Sequence, residues 1–481
     1  MMKKLLLTLF SVSLILGLGA CGGTTPTGWQ TQQAAQGPAV TTPSPITPDA
    51  QAAQSAAVSQ QILTTPYGVD TTPQTVPQTI PAAPTAQPGV GAQYGYDSSV
   101  TTYPPTDSTA TPVPPPVTAA GPTVKVALLV PLSGKNADLG QAMLQAAQLA
   151  LFDMEYENIE LVPQDTKGSD DGARTAAQLA IADGAKLILG PIFANEARAV
   201  APIAQQADVN VISFSTDYTL AQNNVFVMGF LPHIQVERIV QYAAQQRLSR
   251  IGIIAPENEY ANVVISAWNV NANRLGMAPA HILRVKPGSA DAAERIDAFT
   301  NGSARIAAAK AGQPLPPAPY EAIFMPVGGS EAISLADSLS YYELDPQTVR
   351  RLGTGLWDDH NLAMQKSLNG AWFAASDPAQ RRAFENRYRE SYSATAPRLS
   401  TLAYDAMSLA VVLAKSGFAQ AGTPSFDRQS ITNPNGFAGI DGIFRFRPDG
   451  MAERGLAILE FRNGSMNVVD PAPRSFVRSG Y

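Results

Sequence analysis

The chain is poor in cysteine, histidine and charged side chains, and each scarcity excludes a kind of chemistry. Cys21 is the only cysteine among 481 residues, so no disulfide bond can form within one chain. The three histidines, His233, His281 and His360, do not have metal-ligand spacing, and no His-Glu-x-x-His motif, phosphate loop or serine-hydrolase elbow occurs. The net charge of −6 argues against nucleic acid as a partner. We therefore expect no catalytic residue, metal, cofactor or enzymatic activity.

The first 20 residues have the features of an export signal. Two lysines precede an apolar run from Leu5 to Leu18 that is too short for a stable membrane span. The run ends in Leu-Gly-Ala-Cys21, which resembles the bacterial lipobox and implies a lipoprotein signal peptide over residues 1–20, with acyl chains on Cys21 as a membrane anchor. An ordinary secretory peptide is the alternative. Gly22, where an aspartate would favour inner-membrane retention, implies the outer membrane of a Gram-negative bacterium, facing the periplasm.

Residues 22–122 lack lysine, arginine, glutamate and histidine, and they contain 18 of the 39 prolines. A segment with few aromatics and no helical or strand period cannot bury enough apolar surface to offset the entropy lost on ordering. Together with Cys21, this part is predicted to be a disordered tether. Its end-to-end distance would be roughly 50–60 Å as a flexible coil and up to about 300 Å as extended polyproline II. It either reaches through the cell wall or only clears the lipid surface.

From residue 123 onward, apolar strands alternate with amphipathic helices. Val124–Val130 is a continuous apolar run, and Leu139, Met143, Ala147 and Leu151 follow it at helical spacing. Further strands are predicted at Ile159–Val162, Lys186–Leu189, Asn210–Phe214 and Arg250–Ile254, with helices over Ala173–Ala182, Asn195–Ala207 and Ile234–Gln246. This alternation favours parallel sheets covered on both faces, and two sheets fit the length better than one.

Four segments resemble the type I periplasmic binding proteins, the Leu/Ile/Val-binding class. They are Ala127–Gly134, Leu189–Pro191 and Ile212–Thr216, each closing a strand, and Ala403–Ala406, which opens a late helix. The resemblance covers nearly all of residues 124–464. It implies an α/β fold of two doubly wound lobes with parallel sheets, joined by three chain crossings.

The same resemblance implies how residues 123–481 divide between the lobes. Lobe I is expected at about 123–232 and 396–434, and lobe II at about 233–395 and 435–468. Gly442–Arg447 and Leu456–Arg462 are predicted to form one hairpin around Pro448-Asp449-Gly450.

Within this class, the domain most resembles the C-terminal domain of the penicillin-binding-protein activators, outer-membrane lipoproteins that stimulate peptidoglycan synthases. The segments that carry this likeness are Ala127–Gly134, Asp165–Thr175, Glu321–Pro326, Leu368–Phe373 and Gly439–Phe446. The better-known activators have an N-terminal helical-repeat domain, where this chain has the proline-rich segment. The resemblance implies a bifunctional penicillin-binding protein as partner.

Candidate ligand residues lie where strands end, because ligands of open α/β sheets sit beyond the carboxyl ends of the strands. Lobe I offers Ser133, Phe193, Ser213, Ser215 and Thr216, and lobe II offers Asn258, Tyr260, Gly328 and Trp357. Hydroxyls and helix N-termini suit a carboxylate, and Glu257, Glu259 or Asp358 could face an ammonium group. The serines and Thr216 could equally be turns and helix caps, Phe193 could fill the pocket, and the other aromatics could be packing residues.

The two resemblances imply two alternative functions. In the first, the domain is carried by its tether to a peptidoglycan synthase and activates it by protein contact, which regulates peptidoglycan synthesis. In the second, the cleft takes an amino acid or similar small molecule and delivers it to an ABC transporter for amino-acid transport. The tether and Gly22 favour the first function, since a transporter's receptor must reach an inner-membrane permease.

Overall fold

The computed structural model describes residues 122–286 and 288–476. The predicted signal peptide, the predicted acylation site Cys21 and the predicted tether therefore lie outside the described residues, apart from Pro122. The strands are β1 (Val124–Val130), β2 (Ile159–Asp165), β3 (Leu187–Leu189), β4 (Asn210–Ser213), β5 (Val225–Val227), β6 (Ile251–Ala255), β7 (His281–Arg284), β8 (Ala322–Phe324), β9 (Arg350–Gly353), β10 (Trp372–Ala375), β11 (Phe437–Gly439), β12 (Gly442–Phe446), β13 (Ala452–Arg454), β14 (Ala457–Arg462) and β15 (Ser465–Asp470).

Helices connect most of the parallel strands, and several begin at a side-chain cap. They are α1 (Ala137–Asp153), α2 (Asp170–Ala182), α3 (Ala194–Gln206), α4 (Pro232–Gln245), α5 (Glu259–Arg274), α6 (Ala292–Thr300), α7 (Gly302–Lys310), α8 (Gly329–Tyr341), α9 (His360–Ala363), α10 (Pro378–Tyr392), α11 (Ser400–Ala421) and α12 (Arg428–Ile431). Ser169 caps α2, Asn258 caps α5, and Asp377 caps α10, in which Pro378 takes the first position. These caps satisfy N–H groups that a helix start leaves unpaired.

Lobe I is built on a parallel sheet in the order β2-β1-β3-β4-β5. Every β1 residue except Lys125 is buried, as expected of a central strand covered on both faces. On one face Leu128 packs with Met143 of α1 and Ala406 of α11. The opposite face carries α2 and α3. The apolar helix α11 is long enough to span a membrane, but 61% of its most apolar stretch is buried, so it acts as a core helix here.

Lobe II has a seven-stranded sheet in the order β15-β14-β10-β9-β8-β6-β7. Its first five strands in sequence, β6 to β10, are parallel. At one edge, β14 pairs antiparallel with β10, and β15 pairs antiparallel with β14. Met325 and Leu335 belong to the core on one face of the sheet, and Phe324 stacks on Trp268 in the core on the other, with ring centroids 4.7 Å apart. Both lobes thus have helices on both faces, which confirms the predicted doubly wound α/β fold.

The predicted hairpin and the predicted second half of lobe II are wrong. β12 pairs with β13 across the Pro-Asp-Gly turn, and with β11, in a separate three-stranded antiparallel sheet. This sheet belongs to lobe I, where Phe446 packs edge-on against Phe226 and Met451 bridges Val227. Only β14 and β15 belong to lobe II. The prediction missed the short strand β13. This strand pairs with β12 at the edge where the prediction had placed β14.

Helix α10 also lies in lobe I, although the prediction assigned residues up to 395 to lobe II. Arg387 of α10 pairs with Asp153 of α1, and Tyr392 donates a hydrogen bond to the Gln145 carbonyl at 2.9 Å. The chain therefore crosses between the lobes three times, at residues 228–232, 376–378 and 455–456. The number of crossings agrees with the prediction, while the second crossing comes about 18 residues earlier than expected.

Candidate ligand cleft

Every candidate cleft residue lies at or just beyond the carboxyl end of a parallel strand. Ser133 follows β1, Phe193 follows β3, and the run from Ser213 to Thr216 closes β4. In lobe II, Asn258 and Tyr260 follow β6, Gly328 follows β8, and Trp357 follows β9. Among the described residues, no hydrogen bond or ion pair joins a candidate of one lobe to a candidate of the other. The structure thus brings the candidates to the two expected edges without linking them across the cleft.

The Ser133 hydroxyl is already hydrogen-bonded to a carboxylate of its own chain. Its hydroxyl donates to Oδ2 of Asp165 at 2.6 Å, and the N–H groups of Leu132 and Lys167 donate to Oδ1, each at 2.8 Å. Burial alone would raise the pKa of Asp165, but these hydrogen bonds hold the pKa below its usual value. Asp165 therefore ties the β1–α1 loop to the β2–α2 loop, and the carboxylate that Ser133 was expected to find in a ligand comes from the protein.

The two serines after β4 are used in the same local way. The Ser213 hydroxyl donates to the Pro191 carbonyl at 3.1 Å and accepts from the Ser215 N–H at 3.2 Å, and the Ser215 hydroxyl accepts from the Asp217 N–H. Phe193 precedes α3 and is buried in the lobe I core, so it fills space there. Thr216 is half-buried and makes no hydrogen bond with any described residue.

In lobe II the candidates build the strand ends. Asn258 accepts from the Ala261 N–H at 2.9 Å, and the buried Tyr260 hydroxyl pairs with Thr354 at 2.8 Å. Trp357 is fully buried and donates from Nε1 to the Val327 carbonyl at 2.8 Å. It lies so close to Gly353 that a Cβ there would be 2.2 Å from the indole ring. Tyr260 and Trp357 are thus packing residues with satisfied polar tips.

Gly328 brings the ends of β8 and β9 together, because a side chain there would meet Leu356 at 3.2 Å. Of the three carboxylates considered for an ammonium group, Glu257 and Glu259 are exposed. Asp358 is buried and is held by Arg381 and Arg398, with Nη2 of Arg381 donating to its Oδ1 at 2.8 Å. A ligand's ammonium group would have to compete with two arginines for Asp358.

Sequence reasoning did not single out Glu196, which is fully buried in the first turn of α3. Its Oε1 accepts from the Thr166 hydroxyl at 3.2 Å, and its Oε2 has no partner among the described residues. Burial raises the pKa of Glu196 to about 8, and the nearby Asp170 and Asp165 carboxylates add to the shift. No motif marks this residue, since its burial depends on how α3 packs beside the β2–α2 loop.

Within residues 122–286 and 288–476, no group of three or more His, Cys, Asp or Glu side chains could hold a metal ion. Most polar groups at the cleft edges are instead engaged in helix caps, turns and the ion pairs of Asp358 with two arginines. Chemically, the described edges can hold loops in place, and Thr216 is the candidate hydroxyl that keeps its hydrogen-bonding capacity free.

Known structures resemble this domain in fold. A protein of Rhodospirillum rubrum superposes with a TM-score of 0.61 and 17% identity, covering 72% of this chain and 100% of its own. An ABC transporter substrate-binding protein from Sphaerobacter thermophilus gives a TM-score of 0.55 and 18% identity, with 73% and 98% covered. A Rhodopseudomonas palustris BisB5 solute-binding protein solved with 3,4-dihydroxybenzoic acid gives 0.50 and 19%, with 74% and 98% covered. At these identities the likeness establishes the fold.

Sequence comparison identifies the family. An uncharacterized protein of Rickettsia prowazekii (strain Madrid E) is 26% identical over 142 residues, which are 29% of this chain and 38% of that protein. The chain thus matches well under half the length of this relative. Residues 123–465, by contrast, match a periplasmic binding protein family as a whole, and that family and the structural neighbours are binding proteins rather than enzymes. This chain belongs to the periplasmic binding protein family.

Proposed function

We propose that this protein is an outer-membrane lipoprotein that activates a peptidoglycan synthase, a bifunctional penicillin-binding protein, by protein–protein contact through its two-lobed domain. Family membership supports a binding role in the periplasm. The partner rests on the resemblance of Asp165–Thr175 and Gly439–Phe446, among other segments, to the penicillin-binding-protein activators.

The observation that carries the proposal is the internal pairing at the cleft edges. A small-molecule receptor needs polar groups that converge on its ligand and are free to bind it. Here Ser133 pairs with Asp165, Ser215 with a backbone N–H, and Asp358 with two arginines. Because these groups are already paired within the protein, and displacing Asp358 from its arginines would leave buried charges unpaired, this arrangement favours action through the outer surface of the domain over capture of a solute.

The N-terminal part supports the same function. The lipobox-like Cys21 followed by Gly22 would hold the chain at the outer membrane, while synthases stand at the inner membrane on the far side of the cell wall. A proline-rich segment of about a hundred residues could extend to about 300 Å, which supplies the reach that contact with such a partner requires.

A solute receptor for an ABC transporter is the second candidate, and Thr216 favours it. This half-buried threonine follows β4 with its hydroxyl free of any described partner. A hydroxyl at that edge suits a carboxylate ligand, as the dihydroxybenzoic acid bound by the Rhodopseudomonas palustris relative would be.

The decisive experiment is an assay of peptidoglycan synthesis with the complete acylated protein in detergent. Labelled lipid II is polymerised and crosslinked by each bifunctional penicillin-binding protein of the organism, with and without this protein. We expect faster polymerisation or crosslinking by one synthase, unchanged for the Thr216→Val variant. If no synthase responds, and 3,4-dihydroxybenzoate or a branched-chain amino acid raises the melting temperature of the wild type but not of Thr216→Val, the receptor function replaces the proposal.

A further inference from the structure

Buried charged side chains lie at the three crossings between the lobes. They are three aspartates and three arginines in two groups of ion pairs, and most of them are almost completely buried: Asp358 with Arg381 and Arg398, which also pairs with Asp441, and Asp405 with Arg454 at 3.7 Å. Both Arg398 and Arg454 lie against the Phe230 ring, which joins the two groups into one network. These six residues are spread over residues 358–454 and come from both lobes. In a two-lobed binding protein the lobes rotate about the crossings, so the groups located there decide how easily the domain opens.

Arg454 joins the third crossing to the first. It ends β13 just before the chain returns to lobe II, and its side chain is 4% exposed. Its Nη2 donates to the Met228 carbonyl at 3.1 Å, and its guanidinium lies 5.2 Å from the Phe230 ring centroid. Met228 and Phe230 are the residues on which the first crossing begins. Arg454 therefore holds two chain crossings side by side.

Arg398 is shared between the lobes. It makes a two-pronged pair with Asp441 of lobe I, at 2.7 and 3.1 Å, and its Nε lies 3.4 Å from Asp358 of lobe II. The flat face of its guanidinium also covers Phe230 at 4.1 Å. Two-pronged pairs fix the plane of an arginine, so Arg398 has little freedom to follow a moving lobe.

Asp358 receives a second arginine from the other crossing. Arg381 lies in the first turn of α10, directly after the second crossing, and makes a two-pronged pair with Asp358. The Asp358 and Arg381 side chains are only 5% and 8% exposed. One carboxylate of lobe II is thereby fixed by two arginines of lobe I.

We propose that this network is a hinge clamp that holds the two lobes in a single arrangement without any ligand. Rotation of the lobes about the crossings would pull Asp358 away from Arg381 and Arg398 and leave charges unpaired in a poorly hydrated place, which is strongly unfavourable. The inference goes beyond the proposed function, because it concerns only how the lobes are held and applies whichever partner or solute the domain binds.

The distance between the lobes tests the clamp. Spin labels are placed at Arg174→Cys in lobe I and Asp337→Cys in lobe II, both exposed, in the full chain with Cys21→Ser, and the distance distribution is measured by pulsed electron paramagnetic resonance. We expect one narrow distance in the wild type. Asp358→Asn, which keeps the shape but removes the charge, should raise the population of a second distance roughly tenfold.

Two further variants make the result interpretable. Arg398→Lys keeps the charge but loses the two-pronged geometry, and it should open the hinge even if Asp358→Asn does not fold. Asp470→Asn removes the Arg238–Asp470 pair, which lies wholly within lobe II, and it should leave the distance unchanged. A wild type that already shows two populated distances overturns the clamp, as does a single unchanged distance in every folded variant.

Discussion

The cleft edges and the crossings both concentrate polar side chains, but the edge residues pair within one lobe, whereas some of the residues at the crossings pair between the lobes. At the edges, Ser133 bonds Asp165 inside lobe I, and Tyr260 bonds Thr354 inside lobe II. At the crossings, Asp358 of lobe II pairs with Arg381 and Arg398 of lobe I. Bonds within a lobe hold its loops in shape, whereas ion pairs between the lobes hold the lobes together. The comparison indicates that this domain stabilises its hinge more than it prepares its cleft.

The largest expected effect lies at the crossings, with Arg454→Leu. Its removal leaves the fully buried Asp405 and Asp441 with one arginine fewer, so we expect a loss of about 3–5 kcal/mol in the free energy of unfolding. Urea denaturation of the variant measures it. The control is Arg462→Leu, whose side chain is 59% exposed in its pair with Glu460 and should change stability by under about 1 kcal/mol. Equal losses of unfolding free energy in the two variants would contradict the expected difference between a buried and an exposed arginine.

The second effect concerns Glu196, which is buried near the lobe I edge. Its raised pKa, about 8, means that the folded protein binds the proton more tightly than the unfolded chain does. Stability due to the neutral carboxyl is therefore present in acid and is lost as the pH rises from about 4.5 to about 8. Glu196→Gln should remove this loss and be more stable than the wild type at about pH 9, by about 1–3 kcal/mol.

Thermal or urea unfolding at about pH 5 and about pH 9 measures this difference. The matched control is Glu294→Gln, at an exposed position in the first turn of α6. An identical pH dependence in the wild type and Glu196→Gln would show that Glu196 is ionised in the folded protein.

A smaller effect tests whether Tyr260 is a packing residue or a ligand group. Tyr260→Phe removes the hydroxyl that pairs with Thr354 inside lobe II, so we expect a loss of about 1 kcal/mol in unfolding free energy without any ligand. Tyr341→Phe, at a 75% exposed ring, is the control and should be neutral. Full stability combined with weakened binding of a small molecule would instead make Tyr260 part of a working cleft.

The smallest effect is expected at Ser133→Ala. Since Ser133 is exposed, losing its bond to Asp165 should cost about 0.5–1 kcal/mol at neutral pH. The lowered pKa of Asp165 means that this contribution is present at neutral pH and is lost as the pH falls through the folded pKa, so the variant and the wild type should converge in acid. A Ser133→Ala variant that keeps full stability but no longer binds a solute would show that Ser133 contacts a ligand and does not stabilise the fold.

Much of the architecture could be predicted from the sequence because parallel strands and their helices repeat a simple pattern. The strands β1 to β4 and the helices α2 to α4 begin and end close to where the apolar periodicity places them. The prediction of the hairpin was wrong because β13 has only three residues, too few for a detectable pattern. Helix α10 was assigned to the wrong lobe because its sequence shows an amphipathic helix but not which core it packs against.

The candidate residues lie at the strand ends where the sequence places them, and most of their hydrogen bonds go to other parts of the same chain. Strand ends predict where Ser133, Ser213 and Asn258 lie, and short-range bonding explains why turns and caps use them. Asp358 was noted only as a carboxylate, since its two arginines come from later elements. The buried Glu196 gave no signal, because a glutamate in a first helical turn is ordinarily an exposed favourable charge.

The sequence by itself determined the alternation of strands and helices and the parallel sheets covered on both faces, because these depend on local periodicity and on a topology that few connections satisfy. The two lobes and the number of crossings followed from the resemblance of four segments to the type I periplasmic binding proteins. Tertiary structure alone decided which lobe holds α10 and the sheet of β11 to β13, that Asp358 faces Arg381 and Arg398, and that burial raises the pKa of Glu196. Those outcomes depend on burial and on partners distant in the chain. Burial sets the free energy of a charge, and no local pattern records it.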